Sequence, residues 1–567
     1  MGKLFQWQVA EKISEAELLR FPEFSELVIQ LLANRGITET ADIESFLQPD
    51  YFQDQHDPFL FRDMRVAVDR INQALKNKEK ITIHGDYDAD GVCASAVLYK
   101  TLIALHADVD YYLPHRDTEG YGLNMNTVAK LKAAGTQLII TVDCGISNKP
   151  EVQAAVDAGM EVIVTDHHSE PPELPDAALA VLNPKIAAEP YPFKYLAGVG
   201  VSFKLCQALI REHGLGEAFE KWLLDLVAIS TVTDFVELVG ENRVFLKYGL
   251  VVLQKNQRPG LRELFAVMGK EAKDATAETI GFHIGPHINA AGRVNHANQA
   301  LELVLEENRD NAQVMAKQLA ATNKERQVQS GKMSKEALEQ ALLQTNETVI
   351  IVEGDEWPVG LVGLVAGKVA SEYNRPTFVI TTMGDEIVGS GRSIPQFHLV
   401  EALQSMDEVF TKYGGHPGAC GFSLKDREAL EEFKVRMRAR GNELLAGKDL
   451  RKIVKAEKEI TLGEADWNLV STVEQFAPYG QSNPEPIFVS RGVRIEKIDC
   501  VGKTQAHLRM RVSQDGVVRP CIGFSLGELC EEFPAGSMVN IAYTISVNEW
   551  NGNKDIQFQL IDIEAVE

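Results

Sequence analysis

The 567-residue sequence lacks a surplus of positive charge: 57 Lys and Arg face 81 Asp and Glu, a formal net charge of −24 at pH 7. A protein that holds a polyanion by its overall field should be basic, so any nucleic acid handled here must be gripped locally. No apolar run approaches about 18 residues, which excludes a membrane-spanning helix. Cysteine is scarce. The seven (Cys93, Cys144, Cys206, Cys420, Cys500, Cys521, Cys530) are never spaced as CxxC, which argues against a disulfide framework or a zinc knuckle and predicts reduced, mostly buried thiols. The opening stretch MGKLFQWQVAEK has no apolar signal core, and Gln6 stands where myristoylation needs Ser or Thr. A cytoplasmic location is the expectation. Internal repeats and low-complexity tracts are absent as well.

What is present is a soluble, folded composition, 45% hydrophobic and 24% charged, long enough for about three or four domains at roughly 150 residues each. Residues 1–75 carry no motif. From Lys80 to about residue 300, short β-rich runs (KITIHG, DVDYYLP, QLIITVDCG, MEVIVTD, AALAVLNP) alternate with helical stretches, the first from about Ala94 to Leu105 and another near Pro150 to Ala158. Such alternation predicts βαβ units and a mostly parallel sheet. Residues 301–345 read as connecting helices. A second, smaller α/β segment spans 346–447, with two glycine-rich turns, GSGRS and YGGHPGACGF. The basic stretch KDLRKIVKAEK then leads into residues 459–567, whose short alternating strands suggest an OB-fold-like β-barrel.

Chemistry concentrates at the ends of the first set of strands: His84, Asp86, Asp88 and Asp90, then Asp143, then Asp166, His167 and His168, with Asp234 ending an apolar helical run. A lone Asp after a strand is more often a helix N-cap than a ligand. In a doubly wound sheet, however, the carboxyl ends of neighbouring strands border one crevice, so these groups can converge. So many carboxylates in one crevice repel one another unless cations neutralise them. An Asp/His set without Cys suits hard or borderline ions, two Mn²⁺ or Mg²⁺ rather than structural zinc. Two such ions about 3.5–4 Å apart would activate a water and clamp an in-line displacement at phosphorus. Metal-dependent phosphoester hydrolysis is the predicted reaction class.

The motifs ITIHGDYDADGV, ITVDCGIS, VTDHHSEPPELP and TVTDFVEL resemble, in order and spacing, those of the DHH phosphoesterase family. LPHRDTEGYGLN, LAGVGVSFKL, INAAGRVNHANQAL, GSGRS, YGGHPGACGF and APYGQSNPEPIF are similar to the bacterial single-strand-specific 5′ exonucleases of that family. The likeness covers roughly residues 75–567. It implies a two-lobed α/β core, with a catalytic domain at 76–300 and an associated substrate-binding domain at 346–447, followed by the barrel. It also implies metal ligation by His84, Asp88, Asp90, Asp143, His167 and Asp234, with Asp143 and Asp234 as bridges. Asp86 and Asp166 would orient the ligands, and His168 would point at the scissile phosphate.

For substrate contacts, Arg116 follows a strand end and can grip phosphate bidentately, while Ser390 and Arg392 pair a glycine-rich turn with hydroxyl and guanidinium donors for a terminal phosphate. Arg293 resembles a family arginine that follows the strand or splays bases, and His416 would reach across the cleft. His287 replaces an arginine usual in the family, which weakens one backbone contact. In the last segment His507, Arg509 and Arg511 alternate with Leu508, Met510 and Val512, giving one basic and one apolar strand face. Trp550 and Phe558 are candidate stacking platforms.

The expected activity is 5′ to 3′ degradation of single-stranded DNA to 5′-mononucleotides, in repair and recombination, by a monomer. Single-strand-binding protein and helicases are candidate partners. The alternatives are a phosphodiesterase for short oligonucleotides or cyclic dinucleotides and a non-catalytic DNA-binding scaffold of the same fold.

Overall fold

The computed structural model describes residues 5–566 except 117 and 551. The chain divides into two compact units. One comprises Gln55–Val236 and Phe245–Leu450. Its first sheet runs β1 (Lys80–Gly85), β2 (Asp108–Tyr112), β3 (Leu138–Val142), β4 (Glu161–Thr165) and β5 (Ala180–Leu182), all parallel, in the order β2-β1-β3-β4-β5. Ile81, Ile83, Leu138, Ile139 and Ile140 are fully buried, as continuous apolar runs require in a sheet covered on both faces. The order reverses direction between β1 and β3, so the crevice for a ligand opens beyond their carboxyl ends.

Helix α1 (Ala89–Ala104) follows β1 directly. It starts five residues before the expected position because Asp88 caps it, accepting hydrogen bonds from the N–H groups of Asp90 and Gly91. Its first three turns are buried all round, which removes the polar face that would have marked it in sequence. Gly91 is obligatory there: a Cβ on it would lie 2.4 Å from the Asp86 carbonyl oxygen. Helices α2 (Gly198–His213) and α3 (Leu224–Thr233) pack against α1, and α4 (Gly285–Val294) crosses the loop after β1, with Gly292 tight against Tyr87. The 34-residue helix α5 (Arg309–Leu342) leads to the second sheet.

That sheet contains β6 (Ile350–Asp355), β7 (Thr377–Met383), β8 (Glu386–Arg392), β9 (Phe410–His416) and β10 (Ala419–Leu424), in the order β9-β10-β8-β7-β6, with only β6 and β7 parallel. Two expected turns are corrected here. GSGRS lies in β8 rather than in a turn, and its glycines make room for neighbours: a Cβ on Gly389 would meet the Phe422 ring at 2.2 Å, and one on Gly391 the Cys420 Sγ at 2.7 Å. YGGHPGACGF is mostly the hairpin β9–β10, turning only at Pro417–Gly418.

The other unit comprises Met1–Asp54, Glu237–Val244 and Arg451–Glu567. The basic stretch KDLRKIVKAEK contains a strand, Lys452–Ala456, which pairs in parallel with Phe5–Val9. The fully buried Arg243 stitches the three segments together by donating to the carbonyls of Phe46 (2.7 Å), Ala477 (3.0 Å) and Pro478 (3.3 Å). Strands β11 (Phe488–Val501), β12 (His507–Gln514), β13 (Val517–Gly523), β14 (Met538–Trp550) and β15 (Asn553–Ala565) close into a barrel because β11 pairs with both β12 and β14. The two-lobed α/β core followed by a β-barrel is therefore as expected.

Along β12, Leu508, Met510 and Val512 face the core and Arg509 and Arg511 face out. Phe558 is no stacking platform: it is fully buried and its ring stacks on Tyr543 at 3.9 Å. The Trp550 side chain lies outside the described residues. The expectation of seven free thiols also needs correction. Cys500 and Cys530 are paired as a disulfide, with Cα atoms 6.3 Å apart, while the other five are free and buried.

Candidate metal centre and substrate cleft

The strand ends do converge. His167 Nε2 lies 3.2 Å from an Asp143 oxygen, 3.5 Å from Asp234 and 3.7 Å from Asp90. Three groups hold ligand atoms within 4.8 Å of one another: Asp86, Asp88 and Asp143; Asp90, His167 and Asp234; and Asp143, His167 and His168. Asp143 and His167 each belong to two of them. Asp143 adopts a left-handed backbone, φ 59°, a conformation that costs energy for a non-glycine residue and marks functional sites.

Burial and mutual repulsion push the carboxyls of Asp86, Asp88, Asp143 and Asp234 above the usual range. Burial pushes His84 and His167 down to about 4, leaving neutral imidazoles with free lone pairs. His84 Nε2, Asp86 Oδ1, Asp143 Oδ1 and both ring nitrogens of His167 are buried without hydrogen-bond partners. Unpaired buried polar atoms of this kind are costly. Divalent cations fit this donor set by satisfying those atoms and offsetting the repulsion together.

Two carboxylates stand out. Asp90, expected as a ligand, belongs to one of the close groups and is also braced from behind: Oδ2 accepts from Gly198 N–H and Oδ1 from Val199 N–H, each at 2.7 Å, with Ser230 Oγ also donating to Oδ1. The positive end of α2 thus holds Asp90 in place. Asp86, expected only to orient others, aims an unpartnered oxygen at the cluster and belongs among the candidate ligands. Asp166 is fully engaged: Oδ1 accepts from the His167 and His168 N–H groups and His168 Nδ1 (2.7, 3.1 and 2.8 Å), and Oδ2 from Ile146 N–H. His84 falls outside the three close groups, although its Nε2 is orphaned. Tyr121, unassigned in the sequence, donates its hydroxyl toward the Asp143 carbonyl (3.2 Å) and sits 3.1 Å from His168 Nδ1.

The matches to known families fall on these segments. Residues 80–231 match the N-terminal domain of the DHH family, 346–441 the DHHA1 domain and 456–562 the RecJ OB domain. A single-stranded-DNA-specific exonuclease RecJ of Bacillus subtilis is 38% identical over 95% of this chain and 68% of its own length. The chain belongs to the RecJ family. The Escherichia coli RecJ is 31% identical, with 95% of this chain and 96% of the relative covered. A crystal structure of Thermus thermophilus RecJ in complex with Mn²⁺ superimposes with a TM-score of 0.86 at 29% identity, covering all of this chain and 80% of that one.

Other residues of this RecJ-family chain are placed as follows. Arg116 stacks its guanidinium 5.1 Å from the Tyr87 ring centroid, beside the loop that carries Asp86 and Asp88. Arg392 donates to Ser390 Oγ (3.0 Å) and to the Gly391 carbonyl, and Ser390 in turn donates to the Cys420 carbonyl. Arg293 donates one amino group to the Gly360 carbonyl at 2.9 Å, where the second lobe's helix Val359–Tyr373 begins, and lies within reach of the charge of Asp88. His287 donates Nδ1–H to the His283 carbonyl of its own turn (2.7 Å). His416 is exposed at the tip of β9, and partial desolvation of its ring together with the charge of His168 and Lys185 holds its pKa down. Lys185, not singled out in the sequence, is an exposed ammonium whose charge is felt by His167, Asp234 and His416.

Proposed function

We propose that this protein is a metal-dependent exonuclease that degrades single-stranded DNA from the 5′ end to 5′-mononucleotides, in repair and recombination. The observation that carries the reading is the convergence of five carboxylates and His167 at the β1/β3 switch point with buried ligand atoms left unpaired. The RecJ relatives named as single-stranded-DNA-specific exonucleases and the Mn²⁺-bound structure support it. The catalytic domain is residues 76–300, the substrate-binding domain 346–447 and the nucleic-acid-binding barrel 459–567.

We assign Asp86, Asp88, Asp143, His167 and Asp234 as the residues that hold two Mn²⁺ or Mg²⁺ ions, with His84 and Asp90 completing or bracing the set. Bound ions supply an activated water and charge neutralisation at phosphorus. The side chains then have separable tasks. Asp166 fixes His168 toward the scissile phosphate, and that hydrogen bond raises the imidazole's pKa against burial. Arg116 grips a neighbouring phosphate. Ser390 and Arg392 receive the terminal 5′-phosphate and set polarity, while His416 and Lys185 line the far side. Arg293 contributes mainly by keeping the two lobes in register.

Among the described residues no helix is long and apolar enough to cross a membrane; we place the enzyme in the cytoplasm, working as a monomer. Single-strand-binding protein and helicases are the partners this substrate implies. The test is digestion of long single strands labelled at either end, beside blunt duplex and dinucleotides. Mononucleotides released first from the 5′ label, only with Mn²⁺ or Mg²⁺ and not from duplex, are expected. Faster cleavage of dinucleotides would favour the short-oligonucleotide phosphodiesterase, and binding without cleavage the scaffold.

A further inference from the structure

The barrel unit carries 8 Lys and Arg against 15 Asp and Glu over residues 461–567, yet its cations are not spread evenly. Three of the eight, Arg511, Arg519 and Lys554, line one surface cavity of about 370 Å³ together with Trp467, Val518 and Pro520. That volume lies at the low end for small-ligand sites, about 300–1,000 Å³. Trp467, the first residue of the helix Trp467–Gln475, is half exposed, and Val518 is nearly so.

The other outward basic residues of β12 are occupied. Arg509 pairs with Asp499 at 3.6 Å, and His507 Nδ1 accepts from Ser525 N–H. Arg511 makes no ion pair or side-chain hydrogen bond among the described residues. Arg519 donates one amino group to the Ala465 carbonyl and the other, at 3.5 Å, to that of Val518, and its Nε is buried without a partner. Of the two lining acids, Asp466 is turned to its own helix, accepting from Asn468 and Leu469 N–H; Asp555 remains, and Lys554 pairs with Glu549 at 3.5 Å.

An exposed indole face ringed by guanidinium and ammonium groups, on a module that otherwise repels phosphate, matches a base and its flanking phosphates. We propose that this cavity is a nucleotide subsite of the barrel: one base of a single strand stacks on Trp467, and an adjoining phosphate pairs with Arg511. The proposal rests on the reading of the chain as a single-strand nuclease and names where its barrel takes hold. Stacking of this kind is sequence-tolerant because every base offers a π-face.

The test uses the full chain with EDTA present, so binding is read without hydrolysis. Trp467→Ala is expected to weaken binding of a fluorescent oligothymidylate about five- to tenfold. Arg511→Gln should reduce the slope of log affinity against log salt by about 0.7. With Mn²⁺ present, both variants should raise KM on long single strands and leave kcat unchanged, because the candidate metal residues lie in the other unit. A 5-bromouracil-substituted strand should crosslink to Trp467 on irradiation. Unchanged affinity in both variants, or competition by polyglutamate as strong as by oligothymidylate, would overturn the subsite. A chain without nuclease activity that still crosslinks at Trp467 would fail the nuclease reading while leaving the subsite standing.

Discussion

Gly198 and Asp143 touch so closely that a Cβ on the glycine would lie 2.5 Å from the Asp143 carboxylate oxygen and 2.6 Å from its Cβ. The same glycine donates its N–H to Asp90 at 2.7 Å. One methyl group at the start of α2 must therefore push the Asp143 side chain out of the cluster without altering any ligand. Gly198→Ala is expected to fold, to bind Mn²⁺ about 10- to 100-fold more weakly and to lose activity in proportion. Metal titration by calorimetry checks it, and wild-type affinity would show that Asp143 is not held by this contact.

Removing Asp143 itself should have opposite effects with and without metal. The carboxylate is buried and repelled by Asp90, Asp88 and Asp234, so without metal the Asp143→Asn variant is expected to be at least as stable as the wild type. With Mn²⁺ at a hundred times the dissociation constant, the wild type should gain about 2.7 kcal/mol and the variant much less. Thermal denaturation with and without Mn²⁺ reads both arms. Equal stabilisation of the two proteins would remove Asp143 from the ligand set.

How much of this could be read from the chain depends on distance in sequence. Asp88, Asp143 and Asp166 were legible because each follows a short apolar strand, a local pattern that parallel topology converts into one crevice. The supports were not. The Gly198 and Val199 N–H groups reach Asp90 across 108 and 109 positions, and nothing local in LAGVGVSFKL announces that approach. Tyr121 looks like a surface aromatic until its hydroxyl is seen beside Asp143. The β8 glycines misled because glycine marks both turns and crowding, and here Phe422 and Cys420 fill the space. Phe5–Val9 finds its partner at Lys452–Ala456, a pairing with no short-range signal.

Few cations face the cleft, and Arg392 should therefore be visible in the salt dependence. Each phosphate contact contributes about −0.7 to the slope of log affinity against log salt for a single strand. Arg116, Arg392 and Lys185 should together account for about −2 of the slope, beside what the barrel adds. Arg392→Gln should flatten it by about 0.7 and abolish any preference for a 5′-phosphate over a 5′-hydroxyl. An undiminished 5′-phosphate preference would move the terminal-phosphate site elsewhere.

Glu119, whose charge reaches His84 and whose partner Tyr112 stacks on that ring, offers a pH test beside the cluster. Burial works to raise its pKa, but hydrogen bonds from the His115 N–H, Lys130 and the Tyr112 hydroxyl outweigh it and hold the carboxyl at about 2. A depressed carboxyl stabilises the fold above its unfolded value of 4.5, and the contribution is lost as pH falls from there toward 2. The pair with the exposed Lys130 is screened, so Glu119→Gln should cost about 1–2 kcal/mol at pH 7. That difference from the wild type should shrink steadily below pH 4.5. Because Glu119 ties the turn bearing Arg116 to the end of β2, the variant should also raise KM at neutral pH with little change in kcat. Denaturation curves between pH 7 and pH 3 and steady-state kinetics at pH 7 check the two effects. A stability gap that stayed constant with pH would mean that packing, not the ionised carboxylate, holds the turn.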